Sequence, residues 1–179
     1  MLIQYYGGVI MKYVKGTLRS VKGRLNSINM RIKGAYRSDY NTTVTQRVNS
    51  KGLKSDTEYL IYVELNKFRT NVFKKMGNQW SLVKSYICSI GKPSTPTIKG
   101  TFKVGIKGPY FGVEHGYICY YYTQIKGNYL FHSIIYNLDG TVRDGRLGMR
   151  ISDGCIRLAK ENAKWIYDNV PKGSTIYIE

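Results

Sequence analysis

The sequence predicts a mainly β fold, a β-sandwich or open barrel with one or two short helices and a small β-rich N-terminal extension. Three observations lead there. Short runs rich in Tyr, Val and Ile recur at close spacing, in a chain with 17 Tyr and 19 Gly among its 179 residues. Gly, Asn and Pro punctuate those runs where tight turns need them. Only one stretch, near the C-terminus, carries a helical apolar period.

In the N-terminal third, Val9, Met11 and Tyr13 alternate with polar or small residues. So do Ile28, Met30 and Ile32 in SINMRIKG, and both read as short strands. Residues 37–58 are polar and turn-rich. Residues 1–48 are therefore expected to form a basic β-rich extension, 49–57 a linker and 58–179 the main domain. EYLIYVELN opens that domain as a strand, and RTNVFKKMGNQWSLVKSYICSIG reads as a hairpin turning at Gly77-Asn78. GKPSTPTIKGTFKVG is a proline-bearing loop followed by a strand. GYICYYYTQI and NYLFHSIIYN are two more strands, and LDGTVRDGRLG is a glycine-rich loop. Ala159, Ala163, Ile166 and Val170 fall on one helical face, and Pro171 and Gly173 end it. PKGSTIYIE supplies a turn and a last strand.

Composition narrows the function classes. Apolar residues make up 42% of the chain, enough for a packed core. The formal net charge is +17, with +8 in residues 1–58 and +9 in the rest. A chain so basic associates with polyanions such as nucleic acid, anionic membrane or wall polymer. A specific nucleic-acid partner is not expected, because no recognition helix or RNA-binding signature is present. No apolar run reaches transmembrane length. The opening MLIQYYGGVIMKYVKG lacks a basic segment followed by a clean apolar one, so it is a poor signal peptide. Cys88, Cys119 and Cys155 include no CxxC pair, and His115 and His132 stand far apart, so no metal site is expected. Cys88 and Cys119 read either as buried thiols or as a disulfide pair.

Cys155 lies in SDGC, just before the helix. A cysteine attacks as the thiolate, and with an ordinary pKa of about 8.5 it needs a base or a positive neighbour. Alternation in YLFHSIIY puts Leu130, His132, Ile134 and Tyr136 on one strand face. His132 is the better candidate base, and a packed strand histidine is the other reading. Gly154 permits a tight turn whose backbone N–H groups can converge on an oxyanion. Arg157 reads as a fork for a carboxylate or as a surface arginine. Each signal is weak by itself.

Together they are specific. FHS, then SDGCIR, a helix and the strand GSTIYI resemble the L,D-transpeptidase catalytic domain of bacterial wall synthesis. That family carries a histidine, a segment of variable length, then Ser/Thr-His-Gly-Cys, an apolar residue and Arg or Asn. YLIYVELNKFRTNVFKK is similar to its opening hairpin, and SIGKPSTPTIKGTFKV to its Gly…Thr-Pro-x-Gly-x-Phe segment. The resemblance covers about Thr57 to Glu179. It implies Cys155 as nucleophile and His132 as general base and acid, with the Ser133 carbonyl orienting the ring. It also implies an oxyanion hole from the N–H groups of Gly154 and Cys155, Arg157 near a substrate carboxylate, and Ser152 shaping the loop. Asp153 departs from the family's usual His and would set negative charge near sulfur. The gap between His132 and Cys155 is also a few residues longer.

The implied activity is peptidoglycan cross-linking outside the cytoplasm, through a thioester on a stem tetrapeptide and without cofactor or metal. Peptidoglycan stem peptides, anionic wall polymer and carbapenem-type β-lactams are the implied partners. An L,D-carboxypeptidase and a weakly active wall-binding module are the alternatives. In the N-terminal third, GRLNSINMRIKG and YNTTVTQRVNSKG are similar to one unit of the hydrophobic repeats of clostridial surface proteins, lacking their tryptophan.

Overall fold

A computed structural model describes the backbone of residues 2–179 and the side chains of residues 18–36 and 38–179. The chain divides into two compact units, Met1–Gln46 and Arg47–Glu179.

The first unit is helical, which corrects the β-rich extension expected for residues 1–48. Helix α1 runs Leu2–Ser50 without a break, so neither strand read there forms, nor does a β-type surface repeat. The physical reason is a short-window coincidence. Ile28 and Ile32 are four residues apart and share a helix face, while Met30 between them projects elsewhere. Over a longer window Leu18, Val21, Leu25, Ile28 and Ile32 keep alternating three- and four-residue spacing, the helical period.

The second unit is the mainly β domain that the sequence predicts. Its elements are β1 (Tyr59–Glu64), β2 (Arg69–Met76), β3 (Gln79–Ile87), β4 (Ile90–Gly91), β5 (Gly100–Lys103), β6 (Lys107–Phe111), β7 (Ile118–Lys126) and β8 (Tyr129–Ser133). They continue as β9 (Ile135–Tyr136), β10 (Val142–Asp144), β11 (Arg150–Ser152), β12 (Ile156–Leu158), α2 (Lys160–Asn169) and β13 (Thr175–Ile178). One sheet has the order β3-β2-β1-β13-β5; the other runs β10-β9-β7-β8-β12, with β6 also paired to β7. β11 and β4 form a separate parallel pair.

The core lies between the sheets and α2. Ile61, Val63, Val72, Ile176 and Ile178 come from the first sheet, and Ile125, Phe131, Ile156 and Leu158 from the second. Ala163, Ile166 and Val170 complete it, as the helical spacing predicts. β1 is buried on its other face as well. There Tyr62 donates to Glu179, and Arg47 donates to Glu64 at 3.0 Å. The segment expected as a linker is tied into this unit. Asn49 exchanges hydrogen bonds with the Trp80 backbone at 2.8 and 2.9 Å, and Thr175 Oγ1 donates to the Lys54 carbonyl at 2.7 Å.

Two parallel pairings matter for the site. β1 with β13 brings the last strand into the centre of the first sheet. β8 with β12 aligns Phe131 with Ile156 and His132 with Arg157.

Candidate active site

The β8–β12 register builds the site. Side chains alternate across a strand, so Phe131, Ile156 and Leu158 enter the core while His132 and Arg157 share the opposite face. Cys155 immediately precedes β12, two residues before Arg157, whose charge acts on its thiol. The pairing therefore brings His132 and Arg157 to one face, with Cys155 at the entry to β12, 23 positions after His132.

His132 is buried, with the ring of Phe111 edge-on at 5.1 Å between centroids. Its Nδ1 lies 2.6 Å from the Ser133 carbonyl oxygen. A carbonyl only accepts, so Nδ1 carries the proton, and in the neutral ring Nε2 bears the lone pair. Burial drives the imidazole pKa down to about 4; the Ser133 carbonyl opposes this and the Arg157 charge adds to it. The ring is neutral at pH 7 and able to accept a proton. The Ser133 hydroxyl is turned away from the ring, accepting from the Tyr120 N–H at 2.8 Å and donating to the Ile134 carbonyl at 2.6 Å.

Cys155 is the partly buried cysteine of the three. Its thiol donates to the Asn128 carbonyl at 3.3 Å. Burial raises its pKa, the Leu130 backbone N–H and the Arg157 charge lower it, and Asp153 raises it slightly. The resting group is a thiol. Cys88 and Cys119 are buried, unbridged, and each pushed up by burial to about 12.

The turn ahead of Cys155 needs its glycine. Gly154 has φ +109°, and a Cβ there would sit 2.6 Å from Cε1 of Tyr129. Its N–H, expected to face an oxyanion, donates at 3.3 Å to the Ser152 hydroxyl, which in turn donates to the Cys155 carbonyl at 2.6 Å. Asp153 points outward, with 76% of its side chain exposed, and pairs with Lys92 Nζ at 2.6 Å. Lys92, with help from Thr95 and Arg157, holds the Asp153 carboxyl below its usual range. The negative charge that the sequence sets beside sulfur is thus paired away from it.

Arg157 is not a surface arginine: it is 9% exposed. Its Nη1 donates to Asp144 at 3.0 Å, and its buried Nε finds no acceptor. Asp144 also takes Arg146, through Nε at 2.9 Å and Nη2 at 3.0 Å. Arg146, then Arg157, hold its carboxyl down to about 2 against the effect of burial.

Sequence reasoning missed the loop that clasps this turn. The Lys92 N–H donates to the Ser152 carbonyl at 2.9 Å, Thr97 Oγ1 donates to the Gly154 carbonyl at 2.8 Å, and the Gly91 N–H donates to Thr97 Oγ1 at 2.9 Å. The signal was the Gly-Lys-Pro-Ser-Thr-Pro-Thr stretch itself, which reads as a connecting loop until it is seen to pair with SDGC. Asp144 was hidden in the glycine-rich loop, and Phe111 carries no motif. A cavity of about 370 Å³ opens beside Asn128, lined by Ile98, Lys99, Phe102, Lys126, Gly127 and Tyr129 as well. Among the described residues no three or more His, Cys, Asp or Glu converge where a metal ion would sit.

Solved structures share this fold. An L,D-transpeptidase from Mycobacterium smegmatis aligns at TM-score 0.52 and 23% identity, over 68% of this chain and 58% of its own. LdtMt1, solved in complex with imipenem, aligns at TM-score 0.55 and 21% identity, over 68% and 59%. A fused Zn-dependent amidase/peptidase/peptidoglycan-binding domain-containing protein from Clostridium acetobutylicum reaches TM-score 0.68 and 42% identity, over 79% and 61%. The YkuD family profile, describing the L,D-transpeptidase catalytic domain, matches residues 58–178, and the chain belongs to that family. YciB of Bacillus subtilis, named as an L,D-transpeptidase, is 30% identical over 128 residues, 66% of this chain and 65% of YciB. The chain thus spans just under two thirds of the length of these two relatives.

Proposed function

We propose that this chain is a peptidoglycan L,D-transpeptidase acting outside the cytoplasm, with Cys155 as nucleophile and His132 as general base and acid, in a catalytic domain of residues 58–179. The observation that carries the reading is the shared β8–β12 face. It carries a neutral imidazole whose Nε2 lone pair is not used by the Ser133 carbonyl, on the strand paired with the one that Cys155 leads into, and the turn bearing Cys155 is held by Thr97, Ser152 and Lys92.

In the first half-reaction Cys155 Sγ attacks the carbonyl of the L-centre of the diamino acid in a stem tetrapeptide. A C–S bond forms, and His132 Nε2 takes the thiol proton. The C–N bond to the terminal D-alanine breaks, and His132 returns the proton to the leaving amine. In the second half-reaction the amine of a neighbouring stem attacks the thioester. A C–N bond forms, the C–S bond breaks, and His132 Nε2 takes the proton of the attacking amine and returns it to the departing sulfur, so the thiol is regained. The Cys155 N–H stabilises the developing oxyanion, joined by the Gly154 N–H as its long bond to Ser152 gives way. Arg157 favours negative charge at the site. The stem peptide occupies the cavity next to Asn128, its carboxylates toward Lys99 and Lys126. The basic surface retains the enzyme on anionic wall polymer, and carbapenems acylate Cys155 by the same attack.

Intact-mass spectrometry after incubation with a carbapenem tests the nucleophile. The expected result is one adduct on wild type and none on Cys155→Ala; an adduct on both, or on neither folded protein, removes the assignment. Incubation with tetrapeptide stems then identifies the acceptor. Cross-linked dimer and free D-alanine mark transfer to an amine, whereas tripeptide alone marks an L,D-carboxypeptidase with water as acceptor. Wall binding without acylation marks a binding module.

A further inference from the structure

Helix α1 carries a surface that the catalytic reading does not use. Leu18, Val21, Leu25, Ile28, Ile32 and Tyr36 are each between 48% and 73% exposed. At about 100° per residue they occupy one arc of the helix, about 80° wide.

The edges of that arc are basic. Lys22 and Lys33 border it on one side, Arg24 and Arg31 on the other. The opposite face carries Ser20, Gly23, Ser27 and Gly34 together with Arg19 and one exposed apolar residue, Met30. Asp39 is the single acidic residue in 1–46, among eight basic ones.

This charge pattern selects the occupant. Two copies paired along the stripe would bring Lys22 and Lys33 against Arg24, Arg31 or each other, like charge on like. A purely anionic polymer would be held by the cations and leave the apolar arc in water. An anionic lipid surface satisfies both: the apolar arc enters the acyl boundary, and flanking Lys and Arg side chains extend to the headgroups. No described helix is long and apolar enough to cross a membrane, so this helix would lie along the surface.

We propose that the Leu18–Tyr36 face of α1 is a docking surface for anionic lipid bilayers. It is independent of the proposed catalysis and holds whichever acceptor the thioester takes.

The test is co-sedimentation of the full chain with vesicles of pure phosphatidylcholine or of phosphatidylcholine with 30 mol% phosphatidylglycerol, an arbitrary but anionic composition of about this charge. Binding to the anionic vesicles should exceed that to the neutral ones by at least about tenfold. Leu25→Ser/Ile28→Ser/Ile32→Ser should lower the anionic binding by about tenfold or more. Lys22→Ala/Arg24→Ala/Arg31→Ala keeps strong helix formers and should abolish the anionic preference, with helicity checked by circular dichroism. Equal binding to both vesicles overturns the proposal. So does binding that the serine variant leaves unchanged and salt removes, the behaviour of simple polyanion attraction. A stripe-dependent dimer in sedimentation equilibrium, with no vesicle binding, would assign the face to a second copy and overturn it as well.

Discussion

Replacing His132 with Gln should make the protein less sensitive to acid. The imidazole is buried, and its pKa falls from an ordinary 6.5 to about 4. The unfolded chain therefore takes up a proton between pH 6.5 and 4 that the folded one refuses. Above pH 6.5 both forms are neutral, and the group costs nothing. As pH falls through that window the unfolded state binds more protons, so stability declines by about 1.4 kcal/mol per pH unit. From pH 7 to pH 4.5 the loss due to this one residue is about 2–3 kcal/mol. Gln fills similar space, keeps an amide donor for the Ser133 carbonyl and does not titrate. Urea unfolding at the two pH values, for wild type and His132→Gln, isolates the contribution because all other titrating groups are common to both. The variant should lose about 2–3 kcal/mol less than wild type between the two conditions. Identical losses would show that the imidazole titrates normally, and the neutral-base account of the site would fail with it.

The acylation rate by a carbapenem should rise with pH through about 4, where the His132 lone pair becomes available, and then level off below the raised pKa of the Cys155 thiol; a midpoint near 6.5 would refute this. Gly154→Ala should destabilise the fold by about 1–3 kcal/mol, from the φ of +109° alone, and displace the Tyr129 ring; an unchanged melting temperature would count against the described turn. Asp144→Asn should cost about 2–3 kcal/mol by leaving the Arg157 charge buried without its carboxylate, and should slow acylation, read by urea unfolding and by mass spectrometry. Under native conditions a thiol reagent should modify Cys155 alone, since Cys88 and Cys119 are buried with pKa values near 12; fast modification of two or three thiols would contradict that burial.

The second unit was legible because its signals are local and agree. Alternating Val, Ile and Tyr with Gly-Asn turns marks hairpins, and the β2–β3 hairpin forms where Gly77-Asn78 predicts. The helix face through Ala163, Ile166 and Val170 repeats at four- and three-residue steps and is buried accordingly. The first unit is misread because Ile28 and Ile32 fit both periods, Met30 between them fits only the strand, and the glycines nearby favour strands and turns. Only the longer run from Leu18 to Ile32 separates the periods. At the candidate site, the motif points to Cys155 and His132, but the charged partners around them lie on other segments. Lys92 answers the Asp153 charge from 61 positions away, and Asp144 holds Arg157 from within a loop of ordinary composition.

The parallel β8–β12 pair explains why this arrangement survives a long excursion between its two key residues. A parallel pair needs a crossover rather than a tight turn, so residues 134–155 can change length without altering the register that aligns His132 with Arg157. What must stay fixed is the parity. A shift of one residue in β12 would send Arg157 into the core and bring Ile156 to the face of His132. Burial of Ile156 and Leu158 in the core opposes that slip, because both would leave their apolar neighbours for the face of His132 and Arg157. The packing that stabilises the second sheet is thus the same packing that keeps His132 and Arg157 on one face. Asp144, carried on the excursion NLDGTVRDGRLG, reaches Arg157 at 3.0 Å while the β8–β12 pairing stays in register.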